Sequence, residues 1–180
     1  SGVQPDLEEA VRWYRAAAER GDPRGMCCLG WCYEYGTGIP KDMGEAVRWY
    51  RAAAEQGLPR AQCCLGYCTE KGIGTEADPA AAAEWYRRSA EGGYSRGMYN
   101  YACCFENGTG VKKDLPLAQQ WYERAAKEGL PDAMYELGVW YEDGRCGPKD
   151  AAQALAWYKK AAEAGHDRAR KAVERMEKLV

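Results

Sequence analysis

The sequence predicts an all-α fold, an α-solenoid built from antiparallel helix pairs, and two observations point to it. A Trp-Tyr pair recurs every 36 residues without insertion, at Trp13-Tyr14, Trp49-Tyr50, Trp85-Tyr86, Trp121-Tyr122 and Trp157-Tyr158. Aspartate and glycine recur in the same register on either side of each pair. A fixed period of this length is typical of one supersecondary unit stacked along an axis, in which each unit buries its apolar face against its neighbours.

The first helix of each repeat is predicted from the residues at its two ends. Asp22 is a typical N-cap, and Pro23 follows at the first helical position, where its missing N–H costs nothing. The helix is expected to run from about Arg24 to Tyr35. It ends at Gly36 because glycine adopts the left-handed conformation that closes a helix.

A helical wheel at 100° per residue divides this helix into two sides. The side expected to pack carries small and apolar residues, namely Gly25, Met26, Leu29, Gly30 and Tyr33, with Cys32 at its edge. The side expected to be exposed carries Cys27, Trp31, Glu34 and Tyr35, with Cys28 flanking it. Small residues on the packed side allow neighbouring helices to approach closely, and we expect Gly30, Gly66 and Gly138 to serve that purpose.

The second helix of each repeat begins at an aspartate and ends at a glycine. Asp42 is an N-cap, and Glu45 completes an Asp-x-x-Glu version of the capping box. The equivalent starts are Asp6, Asp42, Asp78, Asp114 and Asp150, and the equivalent ends are Gly21, Gly57, Gly93, Gly129 and Gly165. Five second helices, four complete first helices and a terminal helix from about Asp167 predict ten helices in all.

The predicted organisation is a single repeat array over residues 1–180. It comprises a half repeat 6–21, full repeats 22–57, 58–93, 94–129 and 130–165, and a C-terminal capping helix 166–180. The last helix is charged and carries Glu174 where other repeats have glycine, and a polar outer face is typical of a terminal cap. Because Asp6 begins a second helix with no first helix before it, we expect a piece of a longer array whose uncapped N-terminal end can self-associate.

Composition excludes some classes of partner. The net charge is −2 and the pI is about 5.6, whereas nucleic-acid binding usually requires a clustered basic face. No apolar run approaches the roughly 18 residues of a membrane span, and no signal-peptide pattern opens the sequence. We therefore expect neither nucleic acid nor membrane as a partner.

These residues resemble the Sel-one-like repeat (SLR) family, which is related to the tetratricopeptide repeat. The family pattern occurs here as Ala133-x-x-x-Leu137-Gly138-x-x-Tyr141, Gly108-Thr109-Gly110-Val111-x-x-Asp114 and Ala118-x-x-Trp121-Tyr122-x-x-Ala125-Ala126-x-x-Gly129. The resemblance implies a right-handed superhelix whose first helices line the concave surface. It also implies a non-enzymatic adaptor that binds protein partners and needs no cofactor. Departures that predict local adjustment are Tyr101 and Ala102 in place of Leu-Gly, and Cys146 in place of the second loop glycine.

The nine cysteines leave two interpretations open. The odd number and the adjacent pairs disfavour a complete disulfide framework. Cys28 and Cys32, like Cys64 and Cys68, lie one helical turn apart, so two pairs on neighbouring helices could supply four thiolates to zinc or Cu(I). Alternatively, reduced cysteine packs as a small hydrophobe. One aligned position predicted to be packed consists of Cys32, Cys68, Cys104 and Trp140. Reduced thiols fit a reducing compartment, which favours the cytoplasm.

The predicted partner-binding surface is the exposed side of the first helices. Its residues are Trp31, Glu34, Tyr35, Tyr67, Glu70, Tyr99, Asn100, Glu106, Tyr135, Glu136 and Glu142. Aromatic residues interleaved with a glutamate at every thirty-sixth position suit an extended peptide that carries Lys or Arg, and Tyr and Trp are frequent interface anchors. The alternative is that the glutamate column is only a solvated feature of the helix ends.

Catalysis is not expected. The single histidine, His166, lies at an inter-helix turn and shares no motif with a Ser or Cys nucleophile. The predicted function is a protein-interaction scaffold, and the alternative is a soft-metal-binding or thiol-buffering protein that uses the repeated cysteines.

Overall fold

The computed structural model describes residues 6–178, and within them the chain forms ten α-helices and no β-strand. The helices are α1 Leu7–Glu19, α2 Pro23–Tyr35, α3 Met43–Glu55, α4 Pro59–Lys71, α5 Pro79–Glu91, α6 Ser95–Asn107, α7 Leu115–Lys127, α8 Pro131–Asp143, α9 Ala151–Glu163 and α10 Asp167–Glu177. The predicted all-α class and the predicted number of helices are confirmed. The two ends of the predicted array, residues 1–5 and 179–180, lie outside the described residues.

The helices belong to two compact units. The first unit, residues 1–93, contains α1–α5, and the second unit, residues 94–180, contains α6–α10. Within each unit every helix packs on the one that follows it in sequence. The first helices of the repeats are α2, α4, α6 and α8, and the second helices are α1, α3, α5, α7 and α9.

The aspartate before each second helix is the N-cap that the sequence predicts. In α3 the Asp42 Oδ1 accepts a hydrogen bond from the Glu45 backbone N–H at 3.0 Å. The reciprocal half of the predicted capping box is wrong, because the Asp42 backbone N–H donates to the Tyr33 carbonyl oxygen instead. The Glu45 carboxylate binds Arg48 at 2.6 Å. The loop that joins α2 to α3 therefore closes through its backbone, and one side-chain cap suffices.

The tyrosine of each Trp-Tyr pair from the second pair onward is a core residue. In the first unit, Tyr50 and Tyr86 are fully buried together with Leu29 and Leu65. In the second unit, the fully buried large residues include Tyr122, Leu137 and Tyr158. Burying a side chain of this size stabilises the fold by about 1.5–3 kcal/mol. The tyrosines therefore provide much of the packing between neighbouring helices.

The small residues that the sequence places on the packed side are required there. A Cβ added to Gly66 would lie 2.8 Å from ring atoms of Tyr86, and a Cβ on Gly30 would meet the Tyr50 ring at the same distance. A Cβ on Gly138 would lie 2.5 Å from Tyr158. Contacts this short force the neighbouring ring to move, so glycine at these positions sets how closely each helix pair packs.

The two departures from the repeat pattern are accommodated locally. The loop glycines Gly38, Gly74 and Gly110 have φ between 69° and 71°, whereas no non-glycine residue among the described ones has a positive φ. Cys146 therefore takes a different backbone conformation at the equivalent position. In α6, Ala102 is fully buried. The Tyr101 ring packs on Phe105 and Trp121 at centroid distances of 4.7 and 5.3 Å.

Candidate functional site

The predicted binding residues lie on α2 and α4 in the first unit and on α6 and α8 in the second, and we call this surface of each unit its first-helix face. In the first unit the aromatic side chains are exposed, as predicted: Trp31 is 42% exposed, Tyr35 61% and Tyr67 45%. Glu34 and Glu70 beside them are half-buried. The Trp31 and Tyr35 ring centroids are 5.1 Å apart, so the first unit presents a contiguous aromatic surface.

The prediction of an exposed stripe is wrong for the second unit. All six predicted residues there are half-buried, namely Tyr99, Asn100, Glu106, Tyr135, Glu136 and Glu142. The physical reason is that aromatic rings from the neighbouring helices cover this face. The Tyr99 ring lies 5.4 Å from Tyr122, and the Tyr135 ring lies 5.5 Å from Tyr158 and stacks on His166 at 4.5 Å.

Cys27, predicted to be exposed, is also buried, with 4% of its surface exposed. A hydrogen bond between the Cys27 thiol on α2 and the Cys64 thiol on α4 accounts for its position. This bond lowers the pKa of Cys27 and, together with burial, raises the pKa of Cys64. The wheel assigned Cys27 to the open side because it considers one helix alone, whereas α4 covers that edge of α2.

The glutamate column has a structural partner that the sequence reading missed. In each repeat the hydroxyl of the buried tyrosine of a second helix donates a hydrogen bond to the glutamate Oε2 of the preceding first helix. The O···O distances are 2.5 Å for Tyr50–Glu34, 2.9 Å for Tyr86–Glu70, 2.6 Å for Tyr122–Glu106 and 2.7 Å for Tyr158–Glu142. The interpretation of these glutamates as solvated helix ends is therefore wrong. The constant spacing of 16 residues between Glu and Tyr was the signal in the sequence.

The buried phenols remain protonated donors in this arrangement. Burial is the largest cause that raises the pKa of Tyr50, Tyr122 and Tyr158, and the glutamate that accepts each hydrogen bond raises it further. Tyr122 also contacts the Cys103 thiol at 3.1 Å. Burial raises the pKa of Cys103 to about 11. Both groups are therefore neutral at pH 7.

Two glutamates of the second unit bind an arginine in addition to their tyrosine. Arg145, in the loop after α8, donates to Glu106 and also contacts Asp143. Arg175, on α10, donates to the Glu142 Oε2 at 2.7 Å. Both carboxylates of the column in the second unit are thus neutralised by guanidinium groups from the same unit.

The first unit differs at the equivalent carboxylates. Glu70 forms a salt bridge with its sequence neighbour Lys71 at 2.6 Å, and half of the Lys71 side chain is exposed. Within residues 6–178, Glu34 forms no salt bridge, and its hydrogen bond to Tyr50 uses Oε2 alone. The Glu34 carboxylate raises the pKa of the adjacent, exposed Tyr35, chiefly through its charge and also because it accepts a hydrogen bond from the Tyr35 hydroxyl. The first unit therefore combines exposed aromatic rings with a glutamate, Glu34, that forms no salt bridge among the described residues.

The cysteines do not form the metal site that the spacing allowed. Among the described residues, no group of three or more His, Cys, Asp or Glu side chains could hold a metal ion. All nine cysteines are thiols. Cys32, Cys68, Cys104 and Trp140 are buried at the packed position that the alignment predicts. Burial also raises the pKa of Cys68 to about 11, so these thiols behave as small apolar core residues.

His166 has a structural role at the turn before α10. Its Nδ1 accepts a hydrogen bond from the Ala169 backbone N–H at 3.1 Å, which caps the helix. Its Nε2 lies 3.4 Å from Asp132.

No helix within residues 6–178 has the length and apolar character that crossing a bilayer requires.

Comparison with protein families and solved structures identifies the repeat. The Sel1 repeat model matches residues 1–22, 23–58, 59–94, 95–130 and 131–166, so each repeat boundary falls within one residue of the period read from the Trp-Tyr pairs. A search of curated proteins finds no significant match. A Sel1 repeat protein from Oxalobacter formigenes is 42% identical over 96% of this chain and 68% of its own, with a TM-score of 0.89.

Two further structures are similar over most of the chain. The protein c5321, a protective antigen of uropathogenic Escherichia coli strains with an SLR fold, is 35% identical over 98% of this chain and 38% of its own, with a TM-score of 0.81. The immunity protein Pa5087 from Pseudomonas aeruginosa is 22% identical over 93% of this chain and 62% of its own, with a TM-score of 0.67. The last similarity shows the fold alone.

Proposed function

The chain belongs to the Sel1 repeat family, and we propose that it is a non-enzymatic scaffold that binds a protein or peptide partner on its first-helix face. Sel1 repeat proteins are generally protein-interaction scaffolds. The binding surface and the partner are specific to each member of such a family, so they must be argued from this chain's own side chains.

The observation that carries the proposal is the group of exposed aromatic side chains on the first-helix face of the first unit. Trp31, Tyr35 and Tyr67 are each more than two-fifths exposed. Exposed aromatic side chains that form one surface are typical of protein contacts, because they bury a large area at a small cost in conformational entropy. Of the two glutamates predicted on this face, Glu70 is paired with Lys71, whereas Glu34 forms no salt bridge among the described residues. Glu34 therefore favours a basic group of the partner at this point of the surface.

The first-helix face of the second unit has a supporting role in this proposal. Its aromatic rings are packed, and Glu106 and Glu142 are bound to Arg145 and Arg175. A partner that reaches this face meets packed aromatic rings and two glutamates that are already paired with arginines. We therefore place the strongest contacts in the first unit.

The experiment is binding to an array of immobilised random 15-residue peptides, with the labelled full chain as probe. A variant with Trp31, Tyr35 and Tyr67 all changed to alanine removes the aromatic surface. The matched control is Trp13→Ala, because Trp13 is 69% exposed but lies on α1, which is a second helix and not part of the first-helix face. We expect the triple variant to lose binding to the peptides that the unchanged chain binds, and the control to keep it. Binding that survives in the triple variant, or no binding of the unchanged chain to any peptide, would contradict the proposal.

A further inference from the structure

In the second unit, both glutamates of the column bind a guanidinium group. Glu106 binds the Arg145 guanidinium, and Glu142 binds the Arg175 guanidinium, each while it also accepts the hydroxyl of a buried tyrosine. The tyrosine fixes the carboxylate at the end of the first helix. A carboxylate held in this way presents its remaining lone pairs to a cation without further loss of side-chain freedom.

The repeat register shows that the first unit lacks these arginines. Arg145 follows Glu106 by 39 residues, and the residue 39 positions after Glu34 is Ile73. Arg175 follows Glu142 by 33 residues, and the residue 33 positions after Glu34 is Tyr67. Neither Ile73 nor Tyr67 carries a charge. Glu34 is therefore oriented by Tyr50 like its counterparts, but the positions that supply the guanidinium in the second unit hold neutral side chains.

Aromatic side chains surround Glu34 on the exposed side. Trp31 lies one helical turn before it on α2, and the Trp31 ring is tilted against the Tyr35 ring at 5.1 Å. Tyr67, on α4, is close enough to Tyr35 to raise the pKa of its hydroxyl, although Glu34 is the larger cause. We propose that Glu34 binds an arginine side chain of the partner, whose guanidinium lies against the rings of Trp31, Tyr35 and Tyr67. This proposal rests on the proposed scaffold function.

Arginine fits this site better than lysine does for two reasons. Its planar guanidinium pairs with a carboxylate and stacks on aromatic faces at the same time, whereas the ammonium of lysine is a more strongly hydrated point charge. The chain itself uses this geometry, since the Arg48 guanidinium lies 4.8 Å from the Trp49 ring centroid and Arg88 lies 5.0 Å from the Trp85 centroid. The two residues that bind glutamates of the column in the second unit, Arg145 and Arg175, are also arginines.

The test is a titration of the full chain with N-acetyl-arginine amide, followed by NMR at the Trp31 indole N–H. The signal is assigned with Trp31→Phe. N-acetyl-citrulline amide is the matched probe, because it has the same shape without the charge. We expect a saturable shift with the arginine probe and binding at least about tenfold weaker with the citrulline probe, since a hydrogen bond to a charged group is worth more than a neutral one.

Two variants locate the site. Glu34→Gln keeps an oxygen that accepts from Tyr50 but removes the charge, so binding of the arginine probe should weaken by about tenfold. Glu106→Gln is the control, because Glu106 is already bound to Arg145, and it should leave the titration unchanged. Equal shifts with the two probes, or an unchanged titration in Glu34→Gln, would overturn the assignment. A shift that grows with protein concentration alone would assign the site to a second copy of the chain and would also overturn it.

The arginine site and the scaffold function fail separately. If the chain binds peptides of the array through the aromatic surface but the bound peptides are not enriched in arginine, the scaffold function stands and the arginine site is refuted. If the array captures nothing while the arginine probe still shifts Trp31, the site stands and the scaffold function is refuted.

Discussion

Replacing Tyr50 by Phe tests whether the tyrosine–glutamate bond holds a helix pair together. The change removes one hydroxyl and keeps the ring, so it creates no cavity of consequence in a site where Tyr50 is fully buried. What is lost is the 2.5 Å hydrogen bond to the Glu34 carboxylate. A hydrogen bond to a charged group contributes about 1.5–3 kcal/mol, and Glu34 would be left half-buried without a replacement cation from the first unit.

The matched comparison is Tyr158→Phe in the second unit. Tyr158 is as deeply buried and donates to Glu142 at 2.7 Å, but Arg175 also binds that carboxylate. Glu142 therefore keeps a charged partner, and we expect a smaller loss of about 0.5–1.5 kcal/mol. The difference between the two variants measures how much the arginine compensates.

Urea denaturation followed by circular dichroism at 222 nm gives both values. With a slope of roughly 2 kcal/mol per molar urea, a loss of about 2 kcal/mol lowers the midpoint by about 1 M. In a Glu34→Gln background the cost of Tyr50→Phe should fall, because the remaining hydrogen bond has a neutral acceptor. A midpoint that stays within about 0.2 M of the wild type, or an equal cost in both backgrounds, would refute the structural role of the bond.

Three further predictions concern packing, acid stability and thiol reactivity. Gly66→Ala should destabilise the fold by about 1–3 kcal/mol, because the added Cβ would lie 2.8 Å from the Tyr86 ring. The control is Gly44→Ala, whose Cβ has its nearest contact at 3.3 Å. In the same urea assay this variant should be neutral or stabilising by up to about 1 kcal/mol. Hydrogen bonds from neighbouring arginines lower the pKa of Glu84 to about 2 from 4.5, so this group stabilises the fold above the unfolded pKa and the contribution is lost as the pH falls towards 2. Glu84→Gln should therefore flatten the acid limb of a stability profile, and an unaltered limb would count against the arginine contacts. Burial, with a smaller effect of a nearby aspartate, raises the pKa of Cys146. Peptide mass spectrometry should therefore show that Cys146 is alkylated more slowly at pH 7.5 than an unstructured peptide thiol, and the difference in rate should shrink at higher pH. Equal rates at pH 7.5 would contradict this expectation.

The helices were predictable from the sequence because their signals are local. Asp22, Pro23 and Gly36 act within one or two turns of the residues that they cap, and the observed α2 begins and ends where they indicate. The glycines on the packed side were also predictable, since a 36-residue repeat places the same small residue against the same neighbouring ring each time. The shift of one residue between the predicted and observed start of α2 has no consequence for the fold.

The candidate site was less predictable because its properties depend on pairs of helices. Cys27 lies on the open side of α2 alone, yet the Cys64 thiol on α4 covers it. Glu34 is on the exposed side of the same wheel but is bound by Tyr50 from α3. The arginines that occupy Glu106 and Glu142 come from positions where other repeats have no charge, so the repeat pattern does not contain them. Long-range contacts of this kind separate the exposed aromatic surface of the first unit from the packed one of the second.

An NMR footprint shows directly whether the partner binds the first-helix face of the first unit. The full chain, labelled with ¹⁵N, is titrated with the tightest peptide from the array, and the perturbed backbone and indole N–H signals are mapped onto the helices. We expect the largest changes on α2 and α4, at Trp31, Tyr35 and Tyr67, with the Trp49 and Trp85 indoles little affected. Changes concentrated on the second helices α3 and α5, with Trp31 unmoved, would contradict it.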